Sequence, residues 1–205
     1  MPRSARQTRE RILDAAYKQF RRRGYSRVTM DDIAAEARLT KRTLYHHFES
    51  KDQLLAEVLN VQHRLAVEAF QTFGDRLSGS PEAIVKGMFR ELAVWADKPR
   101  WAGSGFTRLV IELADLPGHP ARLIARRHKA RLERCLCELL ERSGVRRAAE
   151  LSRAIWLLSE GAISMILVHG DQGYSAAASD IANTLLHVHL DKHPVASRRL
   201  NSVRS

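Results

Sequence analysis

The sequence predicts an all-α chain in two parts: an N-terminal three-helix unit built around a helix-turn-helix, and a larger C-terminal helical domain. Three observations predict it. Apolar residues recur at three- and four-residue steps along most of the 205 residues, which is the spacing of one helix face. Thr29 with Asp32, and Ser50 with Gln53, have the pattern of a capping box at a helix start. No Asn-Gly hairpin, sustained alternation or repeat of fixed period argues for strands.

The elements follow in order. Residues 1 to about 7 form a basic polar arm, whose Arg3 and Arg6 either reach a phosphate or fray. A helix from about Thr8 to Arg23 carries the stripe Ile12, Leu13, Ala16 and Phe20; Arg21, Arg22 and Arg23 suit its C-terminal dipole, and Gly24 ends it. Met30 to Ala37 is a second helix, with Ile33, Ala34 and Ala37 on one face. Arg38-Leu39 turns the chain, and Thr40 caps a third helix from Lys41 to about His47. Leu44 and Phe48 are four apart and face the first two helices. The opposite surface shows Lys41, Arg42, Thr43, Tyr45, His46 and His47, residue types that bind phosphate oxygens and base edges. Two short capped helices, a tight turn and such a face describe a helix-turn-helix.

A long helix from Lys51 to about Phe73 links this unit to the rest. Pro81–Ala96 is helical, with Ile84, Val85, Met88, Phe89, Leu92 and Trp95 on one face. Breaks rich in Pro and Gly flank a short helix from Phe106 to about Leu113. Longer helices follow over about Ala121 to Arg142, Ala148 to Val168 and Ala176 to Leu190. The expected division is 1–52 for the DNA-binding unit, 53–193 for a ligand-sensing and dimerisation domain, and 194–205 for a basic tail.

The run Leu44-Tyr45-His46-His47-Phe48, followed by Ser50-Lys51, resembles the DNA-binding motif of the TetR family of transcriptional regulators. The match extends back over Ile12 to Ala16, Phe20 and Gly24-Tyr25. The chain departs from the family at Arg38, where members often carry Gly because a left-handed residue costs Gly nothing. The resemblance implies a sequence-specific regulator, a two-fold homodimer, a palindromic double-stranded DNA operator and an unidentified small-molecule inducer, with repression as the family default. On this reading Thr29, Thr40, Tyr45, His47 and Lys51 hold phosphates, Lys41 shares their surface, and Arg42, Thr43 and His46 reach base edges. Lys51 and the N–H groups beginning its helix would form a phosphate site.

The net charge of +11 fits a polyanionic partner, and 13 Lys/Arg against 6 Asp/Glu in residues 1–51 concentrate it at the N-terminus. Charge alone fits a non-specific, nucleoid-type nucleic-acid-binding protein equally well. Cys135 and Cys137 are two apart, about 200° around a helix, so neither a bridge nor a shared ligand is expected. So few cysteines suit a reducing cytoplasm. No apolar run approaches about 20 residues, so no transmembrane helix or membrane partner is expected.

Two further surfaces are expected in the C-terminal part. Small residues in Leu157–Val168, with the leucine face around Leu132 to Leu140, suit a four-helix dimer contact, for which Leu136, Leu140, Trp156, Gly161 and Ser164 are the candidates, the alternative being an intrachain core helix. Phe89, Trp95, Trp101, Phe106 and Leu109 cluster around the breaks and are candidates for a ligand pocket. Glu91, Glu112 and Asp115 stand near enough in sequence to orient a ligand. No phosphate-binding loop, dinucleotide fingerprint or Gly-x-Ser-x-Gly is present, so no enzyme and no cofactor is expected. His189 and His193 are four apart without a Cys or acidic partner, and His46 and His47 point apart, so no metal site is expected.

Overall fold

The computed structural model describes residues 4–77 and 79–190, and every regular element among them is a helix. Arg3, Ser78, His193 and the tail 194–205 lie outside the described residues. The elements are α1 (Ala5–Arg23), α2 (Met30–Glu36), α3 (Lys41–His47), α4 (Lys51–Arg76), α5 (Pro81–Ala96), α6 (Gly105–Glu112), α7 (Pro120–Arg142), α8 (Ala148–His169) and α9 (Gly173–Leu190). Two starts come three residues earlier than the apolar stripes indicate. Ser4 and Gln7 close a capping box ahead of α1, and the Asp171 carboxylate accepts the Gly173 N–H ahead of α9 at 2.8 Å.

Three apolar clusters hold the helices. The first joins α1, α2 and α3 through Ile12, Ala16, Val28, Ile33, Ala34, Leu44 and Phe48, and the first turns of α4 close it with Leu54 and Val58. The second fills the space between α5, α7, α8 and α9 with Ile84, Phe89, Leu136, Leu140, Leu151 and Ile155. The third lies between them: Tyr25 meets Leu55 and Leu59 of α4, Phe106 and Leu109 of α6, and Ala121 and Ala125 of α7. α4 runs through all of this, with Leu54 in the first cluster and Phe73 in the second.

Leu136 and Leu140 are fully buried among α5, α8 and α9 of their own chain. This corrects the expectation that they face a partner: the leucine face of α7 is spent on the intrachain core. Trp156 is half-buried against that core, while Gly161 and Ser164 are exposed. Leu157, Met165, Leu167 and Val168 of α8 and Ile181, Val188 and Leu190 of α9 are exposed apolar residues. Leu157, Gly161, Ser164 and Val168 recur at three- and four-residue steps and share one helix face.

By length and composition alone, Ala148–His169 is apolar enough to cross a membrane, a test that the core helix of a soluble protein also passes. Arg153 and Glu160 interrupt the run without lowering the window average much. One face of the helix packs in the core through Leu151, Ile155, Ala162 and Ile166.

Candidate nucleic-acid interface

The geometry of α3 is set by its caps and by the turn before it. Thr29 Oγ1 accepts the Asp32 N–H at 3.1 Å, and the Asp32 carboxylate accepts the Thr29 N–H at 2.8 Å. Arg23 pairs with Asp32 at 2.9 Å, so part of the arginine run anchors α1 to the start of α2. These donors hold the Asp32 carboxyl well below the usual carboxylate range, the Thr29 N–H contributing most. After α2, Leu39 N–H bonds to Ala34 O at 2.9 Å and Arg38 N–H to Ala35 O at 3.0 Å. This is a Schellman closure, and it puts Arg38 at φ +51° in the left-handed region. The Arg11 guanidinium donates to the Ala37 carbonyl from α1. Thr40 Oγ1 then accepts the Thr43 N–H at 3.1 Å and begins α3.

Leu44 and Phe48 are buried beneath α3. Lys41, Arg42, Tyr45 and His46 are exposed on its outer side, with Thr43 and His47 half-buried. Among the described residues Arg42, Tyr45 and His46 make no hydrogen bond or ion pair, although the His46 and His47 rings touch edge to face at 5.5 Å. Lys41 pairs with Asp31 of α2 at 2.9 Å, a link absent from the sequence reading. The Thr40 and Thr43 hydroxyls bond to each other at 2.8 Å.

Lys51 departs from expectation. Its ammonium donates to the carbonyls of Tyr25 at 3.1 Å and Val28 at 3.0 Å, and lies 4.2 Å from the centre of the Tyr25 ring. The side chain is a strut between α4 and the α1–α2 loop, with most of its donor capacity used inside the protein. Ser50 caps α4 as expected by accepting the Gln53 N–H, but the Gln53 side chain reaches back to the Glu49 N–H instead of that of Ser50.

The same loop is tied to the C-terminal helices. Glu112 of α6 accepts the N–H groups of Tyr25 and Ser26. The Tyr25 hydroxyl donates to Asp52, which lies 3.5 Å from His119 Nε2 at the start of α7. No local sequence pattern marks these links, because Tyr25 and Glu112 stand 87 positions apart.

The five candidate pocket residues do not line one space. Phe89 belongs to the α5–α9 cluster and Trp101 packs against it, while Phe106 and Leu109 belong to the cluster around Tyr25. Trp95 and Trp101 meet edge to face at 5.3 Å. Periodicity identified apolar faces correctly but could not tell which of two cores each face joins. Glu91 pairs at the surface with Arg76. A polar group absent from the sequence reading joins α6, α7 and α8: Lys129 pairs with Glu160 and donates to Ser104 at 3.1 Å, and Thr107 donates to Glu160 at 2.7 Å. Cys135 is buried and Cys137 half-buried, and burial pushes both thiols up, away from reactivity.

The sequence profile described as bacterial regulatory proteins, tetR family, matches residues 12–58. The HTH-type transcriptional regulator SrpR of Pseudomonas putida is 39% identical over 85 residues, which are 41% of this chain and 39% of SrpR. The probable acrEF/envCD operon repressor of Escherichia coli K12 is 41% identical over 54 residues, 26% of this chain and 24% of the repressor. These matches therefore span well under half of the relatives' lengths, and the relatives are transcriptional regulators rather than enzymes. The crystal structure of SCO4454, a TetR-family transcriptional regulator from Streptomyces coelicolor, superposes with a TM-score of 0.79 over 90% of this chain and 96% of that one, at 26% identity. The motif matches in sequence over residues 12–58, and the helices among the described residues match in fold: the chain carries the DNA-binding motif of the tetR family of bacterial regulatory proteins and shares the fold of a TetR-family regulator.

Proposed function

We propose that the protein is a ligand-responsive transcriptional repressor that binds a palindromic operator as a homodimer. The observation that carries the reading is the outer face of α3, where Arg42 and His46 are exposed and without hydrogen-bond partners among the described residues, on a helix fixed from beneath by Leu44 and Phe48. Each protomer lays α3 in a major groove. Arg42 reads guanine, and Thr43 and His46 contact neighbouring base edges. Thr40, Tyr45, His47 and Lys41 hold phosphates, with Lys41 exchanging Asp31 for the DNA backbone, and Thr29 acts through the cap that aims α2. The relative named an operon repressor supports repression as the sign of the effect.

The exposed apolar faces of α8 and α9 support a two-fold contact, since an apolar surface of that kind is stabilised by a second copy. Two-fold symmetry places the recognition helices about 34–36 Å apart, one turn of duplex. A ligand held among α5 to α8 acts on DNA through α6 and α4, which the contacts of Glu112 and Lys51 tie to the α1–α2 loop. Its effect equals its differential affinity for the two arrangements. The test is selection of the purified protein on random-sequence duplex. Enrichment of an inverted repeat supports the reading, and recovery of no shared sequence refutes it.

A further inference from the structure

Two imidazoles face each other where α4 packs on α7. His63 Nδ1 and His128 Nδ1 are 3.2 Å apart, and the ring centres are 5.4 Å apart with the planes at 79°. The centres are farther apart than the nitrogens by nearly two ring radii, so each nitrogen points almost straight at the other. His63 is half-buried and His128 buried, and Phe106 of α6 stacks on the His128 ring at 3.7 Å. Only one proton fits between the two Nδ1 atoms, so at rest one ring donates and the other accepts. Apolar side chains would join these helices without the cost of burying polar rings.

The surroundings favour the neutral, ligating form of the ring. Burial foremost, then Lys129 and His63, push the His128 pKa down to about 3. Lys129, whose charge acts on this ring, is itself paired with Glu160. Among the described residues no group of three or more His, Cys, Asp or Glu side chains is placed around one ion. A zinc-like divalent ion would lack ligands here and would bring two uncompensated charges into a buried space. A closed-shell monovalent ion is satisfied by two nitrogens in a line.

We propose that His63 and His128 form a two-coordinate site for a soft monovalent metal ion, copper(I) or silver(I), bound between the two Nδ1 atoms. On binding, the ring that donated its Nδ1 proton becomes the Nε2–H tautomer; one metal–nitrogen bond forms to each ring, and no electron is transferred. Bonds of about 2 Å require the nitrogens to open from 3.2 Å to about 4 Å. α4 must then shift against α7, and α4 carries Leu54 and Val58 of the helix-turn-helix core. An effect on DNA rests on the function proposed above; binding of the ion does not.

The experiment is a silver(I) titration of the full ¹⁵N-labelled chain carrying C135A and C137A, which removes the competing thiols. The expected result is one ion per chain, with the Nδ1 resonances of His63 and His128 shifted and split by the silver nucleus. H63Q and H128Q should each lower affinity about 100-fold or more, with unchanged far-ultraviolet dichroism. Splitting at other histidines, or no binding to the thiol-free chain, overturns the site, and the labelled-chain result stands even if a variant fails to fold. Operator affinity measured with and without bound silver reads the regulatory step separately: a change supports metal control of DNA binding, and no change refutes it while leaving the site intact.

Discussion

Glu112 Oε1 accepts the Ser26 N–H at 2.7 Å, so the end of α6 caps the loop that leads from α1 into α2. Its other oxygen takes the Tyr25 N–H at 3.0 Å. One carboxylate thus joins the helix nearest the proposed effector region to the loop that positions the helix-turn-helix. Burial alone would raise the Glu112 pKa; the hydrogen bonds from Ser26 and Tyr25, with Arg108 nearby, more than offset it and hold it below the usual carboxylate range. A lowered folded pKa contributes stability that is present above the unfolded value of about 4.3 and lost as pH falls through the folded value. Glu112→Gln should therefore lower the melting temperature at neutral pH, and its difference from the parent should shrink as pH drops below about 4. A difference independent of pH would show that the charge is not what holds the loop.

Lys51 gives a prediction about stability instead of DNA affinity. Lys51→Met keeps the aliphatic stem and removes the two hydrogen bonds to Tyr25 O and Val28 O. Denaturant unfolding should show a loss of about 2 kcal/mol, with the salt slope of non-specific DNA binding unchanged. A slope flatter by about one unit would return Lys51 to the DNA surface.

At φ +51°, Arg38 bears a left-handed cost that glycine avoids. Arg38→Gly should stabilise by up to about 1 kcal/mol, the strain relieved exceeding the added freedom of the unfolded chain. Arg38→Ala keeps the strain and should give no gain. A gain from alanine equal to that from glycine would place the cost in the arginine side chain instead.

The apolar face of α8 predicts the oligomeric state. Leu157→Glu places a charge at a residue 75% exposed in the single chain, so helicity should be retained while sedimentation shifts from dimer to monomer. An unchanged dimer would move the interface off this face.

Much of the fold was legible because its signals are local. Thr29, Thr40 and Ser50 announced three helix starts, and the stripes through α4 to α8 placed those elements within a few residues. What failed was long-range. Leu136 and Leu140 have the spacing of an interface, but periodicity cannot say whether the facing helix belongs to the same chain. Phe89 and Phe106 read as one aromatic cluster and lie in different cores. Lys51 sits at a helix start that suits an anion, yet the loop carbonyls near Tyr25 reach it first. The His63–His128 contact joins residues 65 positions apart and leaves no trace in either helix's pattern.

Arg42 carries the central claim, that α3 reads sequence. The direct measurement is binding of the parent and of Arg42→Ala to the selected operator and to single-base variants of it, against random competitor, at about 50 and 200 mM salt. The account predicts competitor-resistant binding by the parent at the higher salt, and an Arg42→Ala loss of about 1–3 kcal/mol confined to one base pair in each half-site. Binding by the parent that collapses with salt, or an Arg42→Ala loss equal on every sequence, would contradict it.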